Sequence, residues 1–311
     1  MINFRYHVVS LTAVFLALAI GLVVGTAALN GSVADSLENR VNGLRKTNEQ
    51  LREQVNSMEA ELEREEDFAS EAAPHLLRDT LTNRRVLLMV LPSGRDHADG
   101  VIEKLRLTGA RITGRIDIQD KFFDPESNTN LLGMAAQSAR PTIPATGLVS
   151  NDGVEKSSAL LASALLDRVE GGSPVTDADR QAVLDDYSEA GYLAVPDRVV
   201  DSAEGVVLVS GQPHVDSDAA RKDDSVVTLA NQFDKAGVVV VAGNGSSGGN
   251  LVAQVRQDPA LAKTISTVDN ANTVQGQVAT AMATVQQLVT KRTGAYGLGA
   301  GAETQLPTLP D

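Results

Sequence analysis

Residues 86–91 read VLLMVL, a run of six apolar side chains that ends at Pro92. Strands that are buried on both faces of a sheet have such continuous apolar runs, because neither face meets solvent. The other predicted strands are 111–118, 205–210, 237–242 and 265–268. Helical patterns separate these strands, and repeated strand–helix units are typical of a parallel sheet covered on both faces. The sequence therefore predicts an α/β fold, with a Rossmann-like parallel-sheet domain at 84–293.

A glycine-rich loop after the strand at 237–242 is a candidate ligand site. Gly243, Gly245 and Gly248 spell G-x-G-x-x-G, and Asp269 follows 21 residues after the third glycine. Dinucleotide-binding turns have this context, with glycines that admit the pyrophosphate and an acid that binds the ribose. The following helix is short and no basic residue lies near the loop. A plain strand-to-helix turn is the alternative interpretation.

Metal-binding and catalytic motifs are poorly developed. Asp96-His97-x-Asp99 offers nitrogen and oxygen donors, but acids are also typical of a helix N-terminus. The five methionines form no M-x-x-M cluster of the kind that Cu(I) favours. Ser210 and His214 lie on one loop, where catalytic hydrogen-bond geometry is rare. We therefore expect a protein that is not an enzyme, with no cofactor assigned and its metal ligands unknown.

The chain begins with an apolar segment that is long enough to cross a membrane. Residues 8–29 read VVSLTAVFLALAIGLVVGTAAL, without a charge, and would span about 33 Å as a helix. This is longer than the apolar core of a signal peptide, so residues 1–30 are predicted to form an uncleaved anchor. Arg5 precedes the span, which favours a single-pass cell-membrane protein with a cytoplasmic N-terminus and an extracytoplasmic C-terminal domain.

Small residues recur at every fourth position within this anchor. They are Ala13, Ala17, Gly21 and Gly25. On a helix these positions form one face, and membrane helices approach each other closely along such faces. The pattern predicts pairing of two membrane helices.

Residues 31–73 carry a heptad repeat and are predicted to form a long parallel coiled-coil stalk that Pro74 ends. The apolar seam consists of Val41, Leu44, Asn48, Leu51, Val55, Met58 and Leu62. Branched residues and a single Asn at position a, with Leu at position d, are typical of two parallel strands.

The charged residues beside the seam bear on the choice of partner. In a parallel homodimer, Arg40 would face Arg45 and Glu61 would face Glu66. Exposed like charges cost only about 0.2–1 kcal/mol per pair, so a homo-oligomer remains possible. A heteromeric coiled-coil partner with complementary flanks would pair more favourably, and both alternatives stay open.

Composition excludes several classes of function. The chain has 27 Lys+Arg against 40 Asp+Glu, a formal charge of −13, which excludes nucleic acid as a partner. It has no cysteine, which removes disulfides, thiolate catalysis and cysteine-based metal sites. Residues 294–311 (GAYGLGAGAETQLPTLPD) have the composition of a disordered tail.

Several stretches together resemble the actinobacterial family of mycobacterial copper transport protein B. They are the anchor from Arg5 (RYHVVSLTAVFLALAIGLVVG), LLRDTLTNRRVLLMVLP, VVVVAG, ISTVDN and Tyr296-Gly297. The resemblance covers nearly the whole chain and implies a role in copper efflux or copper homeostasis in the cell envelope. Copper is implied by the resemblance alone, because no metal-ligand motif here matches one of the family.

Relatives of the same build also resemble septal proteins that control a cell-wall hydrolase through the coiled coil. The sequence therefore predicts a non-enzymatic membrane protein of copper transport. The alternative is a coiled-coil scaffold that recruits a partner, such as a cell-wall hydrolase system at the division septum.

Overall fold

The computed structural model describes residues 4–30, 32–143, 150–167 and 174–309. The first three residues of the predicted anchor and the last two of the predicted tail lie outside these ranges. The chain divides into two compact units, Met1–Glu65 and Glu66–Asp311.

The first unit consists of helices. Helix α1 (Phe4–Asn30) contains a candidate membrane span at Phe4–Ala27, with a mean hydropathy of 2.6. Its described large apolar side chains are exposed, as suits a helix that is solvated by lipid. The hydroxyls of Thr12 and Thr26 donate to helix carbonyls four residues earlier, so neither is left unpaired in an apolar environment.

Helix α2 (Ser32–Leu77) covers the predicted stalk and continues past Pro74. Proline removes one helix hydrogen bond and usually ends a helix. Here Ala73 and Leu77, on either side of Pro74, are fully buried in the core of the second unit. Burial on both sides of the proline offsets the lost hydrogen bond, so the helix ends four residues later than predicted. A coiled coil needs a second helix and stays a prediction.

The second unit is built on one seven-stranded sheet in the order β3-β2-β1-β4-β5-β6-β7. The strands are β1 (Arg85–Val90), β2 (Arg111–Ile118), β3 (Leu193–Asp197), β4 (Gly205–Val209), β5 (Val238–Ala242), β6 (Ile265–Val268) and β7 (Ala295–Tyr296). All neighbours pair in parallel except β2 and β3, which are antiparallel. The mixed α/β class and the five predicted strands are confirmed. The sheet is mostly parallel rather than parallel throughout.

Helices cover both faces of the sheet. They are α3 (Arg95–Leu107), α4 (Asn128–Gln137), α5 (Gly153–Leu165), α6 (Asp177–Glu189), α7 (Ala219–Ala236), α8 (Leu251–Gln257) and α9 (Val274–Val285). Side chains of β4 alternate between two cores: Val206 and Leu208 pack with α4–α8, and Val207 packs with α3 and α9. This alternation explains the continuous apolar runs, because both faces of the central strands are buried.

The C-terminal segment takes part in the sheet. Strand β7 pairs with β6, and Tyr296 is 5% exposed in the core beside α9. The Tyr296 hydroxyl hydrogen-bonds to Gln286 Oε1, and Gly297 takes a φ of +123°, which glycine allows. This corrects the predicted disordered tail for its described part, 294–309. The composition of this segment does not indicate that it is ordered, because only one buried aromatic ring and a few glycines hold it in place.

We expect Tyr296→Ala to lower the free energy of unfolding by about 3 kcal/mol, because it empties a buried site. Leu298→Ala is the matched control, since Leu298 is 69% exposed, and should cost less than about 0.5 kcal/mol. Urea unfolding of the purified chain followed by circular dichroism measures both. Equal, small losses would show that the segment does not belong to the folded domain.

Candidate functional site

The glycine loop between β5 and α8 is tightly packed at its start. A side chain at Gly243 would lie 2.5 Å from Val252 Cγ2, so glycine lets α8 approach the end of β5. Gly245 has a φ of +85°, and the space around Gly248 is open. Asn250 caps α8 by accepting from Val252 N at 2.9 Å. These contacts give the first two glycines structural roles in the turn.

Asp269 lies beside this loop, as the fingerprint predicts, but its carboxylate binds the protein itself. Gly245 N donates to the Asp269 carbonyl at 2.5 Å. The carboxylate accepts from Leu298 N at 2.8 Å and Gly299 N at 2.9 Å. Arg256 Nη1 lies 2.8 Å from Asp269 Oδ2, with both side chains buried. The acid that would bind a ribose in a dinucleotide site here holds the C-terminal segment.

Arg256 is the residue of this region that the sequence analysis missed. Its guanidinium also donates to Thr267 Oγ1 at 3.0 Å, to the Tyr296 carbonyl at 2.7 Å and to the Ala300 carbonyl at 2.9 Å. It lies near the end of α8, the helix that directly follows the glycine loop, and the packing of α8 against β6 places it beside Asp269. The pair explains why the segment after β7 follows a defined path.

A second candidate site lies where β1 and β4 are neighbours and their connections run to opposite sides of the sheet. Ligands of open α/β sheets bind at such switch points, beyond the carboxyl ends of the strands. Here the loops after β1 and β4 enclose a cavity of about 20 Å³, enough for about one water. Side chains at Gly94 and Gly211 would clash with the backbone of the facing loop. The switch point is therefore closed by backbone packed on backbone.

Ser210 and His214, which the sequence places on one loop, both line this cavity together with Asp223. Asp223 Oδ1 accepts from His214 N at 3.1 Å and lies 2.7 Å from His214 Nδ1. Ser210 Oγ is buried without a hydrogen-bond partner in the described residues. The His–Asp pair is therefore not joined to Ser210 in a catalytic relay, and Asp223 is a partner that the sequence did not reveal.

An open cleft of about 370 Å³ lies between the loop after β2 and helices α5 and α7. Its charged lining residues are Asp124, Asp152, Asp224 and Arg221. Asp124 and Asp152 each accept a backbone N–H at the start of a helical segment. Two of the acids are thus helix caps.

The sequence candidates for metal binding, Asp96, His97 and Asp99, all lie in the first turns of α3. Asp99 Oδ1 lies 2.9 Å from Arg115 Nη1, so this acid forms an ion pair. The hydrogen bond that Arg115 donates to Asp117 and the charges of both acids raise the pKa of Arg115 despite its partial burial. Within the described ranges, no three His, Asp or Glu side chains group closely enough to hold a metal ion.

The two helical faces singled out in the sequence lie on the first unit. The six apolar side chains of the α2 seam are between 44% and 70% exposed. Gly21 and Gly25 on α1 have open space where a side chain would extend. Both faces can accept another helix, and both pairings stay predictions.

Comparison with known proteins places these features in a family. Residues 1–307 match the family described as "Copper transport outer membrane protein, MctB". "Copper transporter MctB" of Mycobacterium tuberculosis (strain ATCC 25618 / H37Rv) is 28% identical over 311 residues, covering 97% of this chain and 98% of the relative. The protein of the same name from Mycobacterium leprae (strain TN) is 28% identical over 315 residues, with the same coverage.

We expect Asp269→Asn to destabilise the domain by about 3–5 kcal/mol, because it leaves the buried Arg256 charge unpaired. Asp224→Asn, at an exposed acid, is the control and should change stability by less than about 0.5 kcal/mol. Denaturant unfolding measures both, with and without millimolar NAD⁺. A rise in the stability of the unmodified chain with NAD⁺ would contradict a purely structural role for the loop.

Proposed function

Because the chain belongs to the MctB family of copper transport proteins, we propose that it is a non-enzymatic, membrane-anchored protein of copper efflux or copper homeostasis. One observation carries the proposal. The match to the mycobacterial copper transporters covers 97% of this chain and 98% of the relative. It therefore includes the apolar helix, the heptad region and the α/β domain together, which supports a shared function of the whole architecture.

The side chains that could bind copper indicate whether this chain would hold the ion itself. Copper sites in proteins use histidine, methionine or thiolate ligands arranged at close quarters. This chain has no cysteine, and His214 is hydrogen-bonded to Asp223 rather than grouped with other histidines. We propose that copper is handled by an assembly that this protein helps to build. The exposed seam of α2 supports such an assembly.

We propose that α1 anchors the protein in the cell membrane, with the N-terminus cytoplasmic and the α/β domain extracytoplasmic. Arg5 before the span and the uncharged length of α1 support this arrangement. The family description names the outer membrane. Apolar helices span inner membranes, whereas outer-membrane proteins span with strands that face lipid. The described sheet of this chain is covered by helices. We therefore propose the cell membrane rather than the outer membrane.

The second candidate function that we propose is a coiled-coil scaffold that recruits a partner protein, such as a cell-wall hydrolase system at the division septum. The observation that favours it is the exposed seam of α2. The copper function is the stronger proposal, because the family match covers the whole chain and the seam covers one helix.

Protease added to spheroplasts should remove the α/β domain and leave the anchor, because residues after Asn30 are proposed to lie outside. Western blotting with antibodies to the domain measures this, and a cytoplasmic marker that stays intact is the control. Protection of the domain until the cells are lysed would contradict the orientation.

Cells that lack this protein should accumulate several-fold more copper than the parent, measured by mass spectrometry of washed cells. The intact chain should restore the parental copper content. Leu16→Arg with Leu18→Arg should not, because each charge at the centre of the span costs about 2.5–3.5 kcal/mol of insertion. Leu16→Ala with Leu18→Ala is the matched control and should restore it. Equal copper in cells with and without the protein would contradict the proposal.

A further inference from the structure

We propose that the seam of α2 binds a parallel helix of a different protein, which is acidic beside residues 40–52 and basic beside residues 59–65. This inference rests on the coiled-coil assembly proposed above and adds the chemistry of the partner. It follows from the register of exposed side chains on the first unit.

The structure extends the seam in both directions. Helix α2 is unbroken across the heptads, so the register that contains Val41 also places Leu37 and Glu65 at d positions. Leu37 is 57% exposed, and Glu65 is exposed as well. The seam therefore begins with an apolar residue and ends with a carboxylate.

After Glu38 at the first e position, the flanks change sign along the helix. Basic residues at e and g positions lie in the first half: Arg40, Arg45 and Arg52. Acidic residues at the same positions lie in the second half, at Glu59 and Glu61, next to Glu65 in the seam itself. All of these side chains are exposed, so their charges are available to a partner helix.

A second copy fits this surface poorly. Valine at a and leucine at d favour a parallel dimer. In that register Arg40 would face Arg45, and Glu65 would face the same residue of the second copy inside the seam. Two carboxylates in a buried layer disfavour each other's ionisation far more than exposed like charges do. A parallel partner with Lys or Arg opposite Glu65 removes this penalty.

Asn48 specifies the partner further. Its amide at an a position is satisfied only by a polar group in the facing layer, which fixes register. The partner helix is therefore expected to carry a polar residue opposite Asn48, acidic flanks before that layer and basic flanks after it.

The test uses the full chain in lipid nanodiscs and two fluorescent synthetic peptides that share the seam of residues 37–62. In the complementary peptide, Glu faces Arg40, Arg45 and Arg52, and Lys faces Glu59, Glu61 and Glu65. The self peptide has the sequence of α2. We expect the complementary peptide to bind about tenfold tighter by fluorescence anisotropy, since several flank pairs change from repulsive to attractive. The preference should shrink in high salt.

The variant Glu59→Lys, Glu61→Lys and Glu65→Lys should lose this preference. Glu49→Lys, Glu53→Lys and Glu63→Lys is the matched control, because it changes the net charge equally at positions outside the seam and its flanks. The control should keep the preference, with circular dichroism confirming that both variants stay helical.

Tighter binding of the self peptide, or equal binding of both peptides, would overturn the inference and leave a coiled-coil assembly in place. Binding of neither peptide would overturn the coiled coil as well. Cellular copper content is measured independently of these peptides, so failure of the copper proposal is distinguishable from either result.

Discussion

Burial of the central strands on both faces is the constraint on which the domain depends. Strands β1 and β4 pair in parallel at the middle of the sheet, and every residue from Gly205 to Val209 is buried. Alternate side chains enter two separate cores, so the helices must cover both faces. The doubly wound connections follow, because parallel neighbours need crossovers that pack back onto the sheet.

The same close packing shapes what the domain can do. At the switch point, backbone lies against backbone at Gly94 and Gly211, which leaves a cavity of about 20 Å³. At the glycine loop, the buried pair Arg256–Asp269 binds the segment after β7. Two positions that hold ligands in many sheets of this kind are here occupied by the protein's own chain. This places the available binding surfaces of the proposed assembly elsewhere.

The helical unit offers such surfaces. Its apolar side chains are exposed on α1, where lipid would cover them, and along one stripe of α2, where another helix would. We propose a helix of a different protein as the partner of that stripe, because Arg40 would face Arg45 in a second copy. The family match and the exposed stripe together favour a copper-homeostasis protein that works through an assembly.

The sequence by itself determined the apolar helix, the heptad register, the five strands of the sheet centre and the family. These signals are local or periodic. A buried face or seam requires apolar residues at regular intervals along the chain, so the sequence shows them directly. Strand β3 has a mostly exposed pattern at the sheet edge, and β7 has two residues, so neither has a periodicity to detect. Only the tertiary structure decided the roles of Arg256, Asp269 and Tyr296. Their contacts join residues that are 10 to 44 positions apart in the chain, and such contacts form only after the helices pack on the sheet.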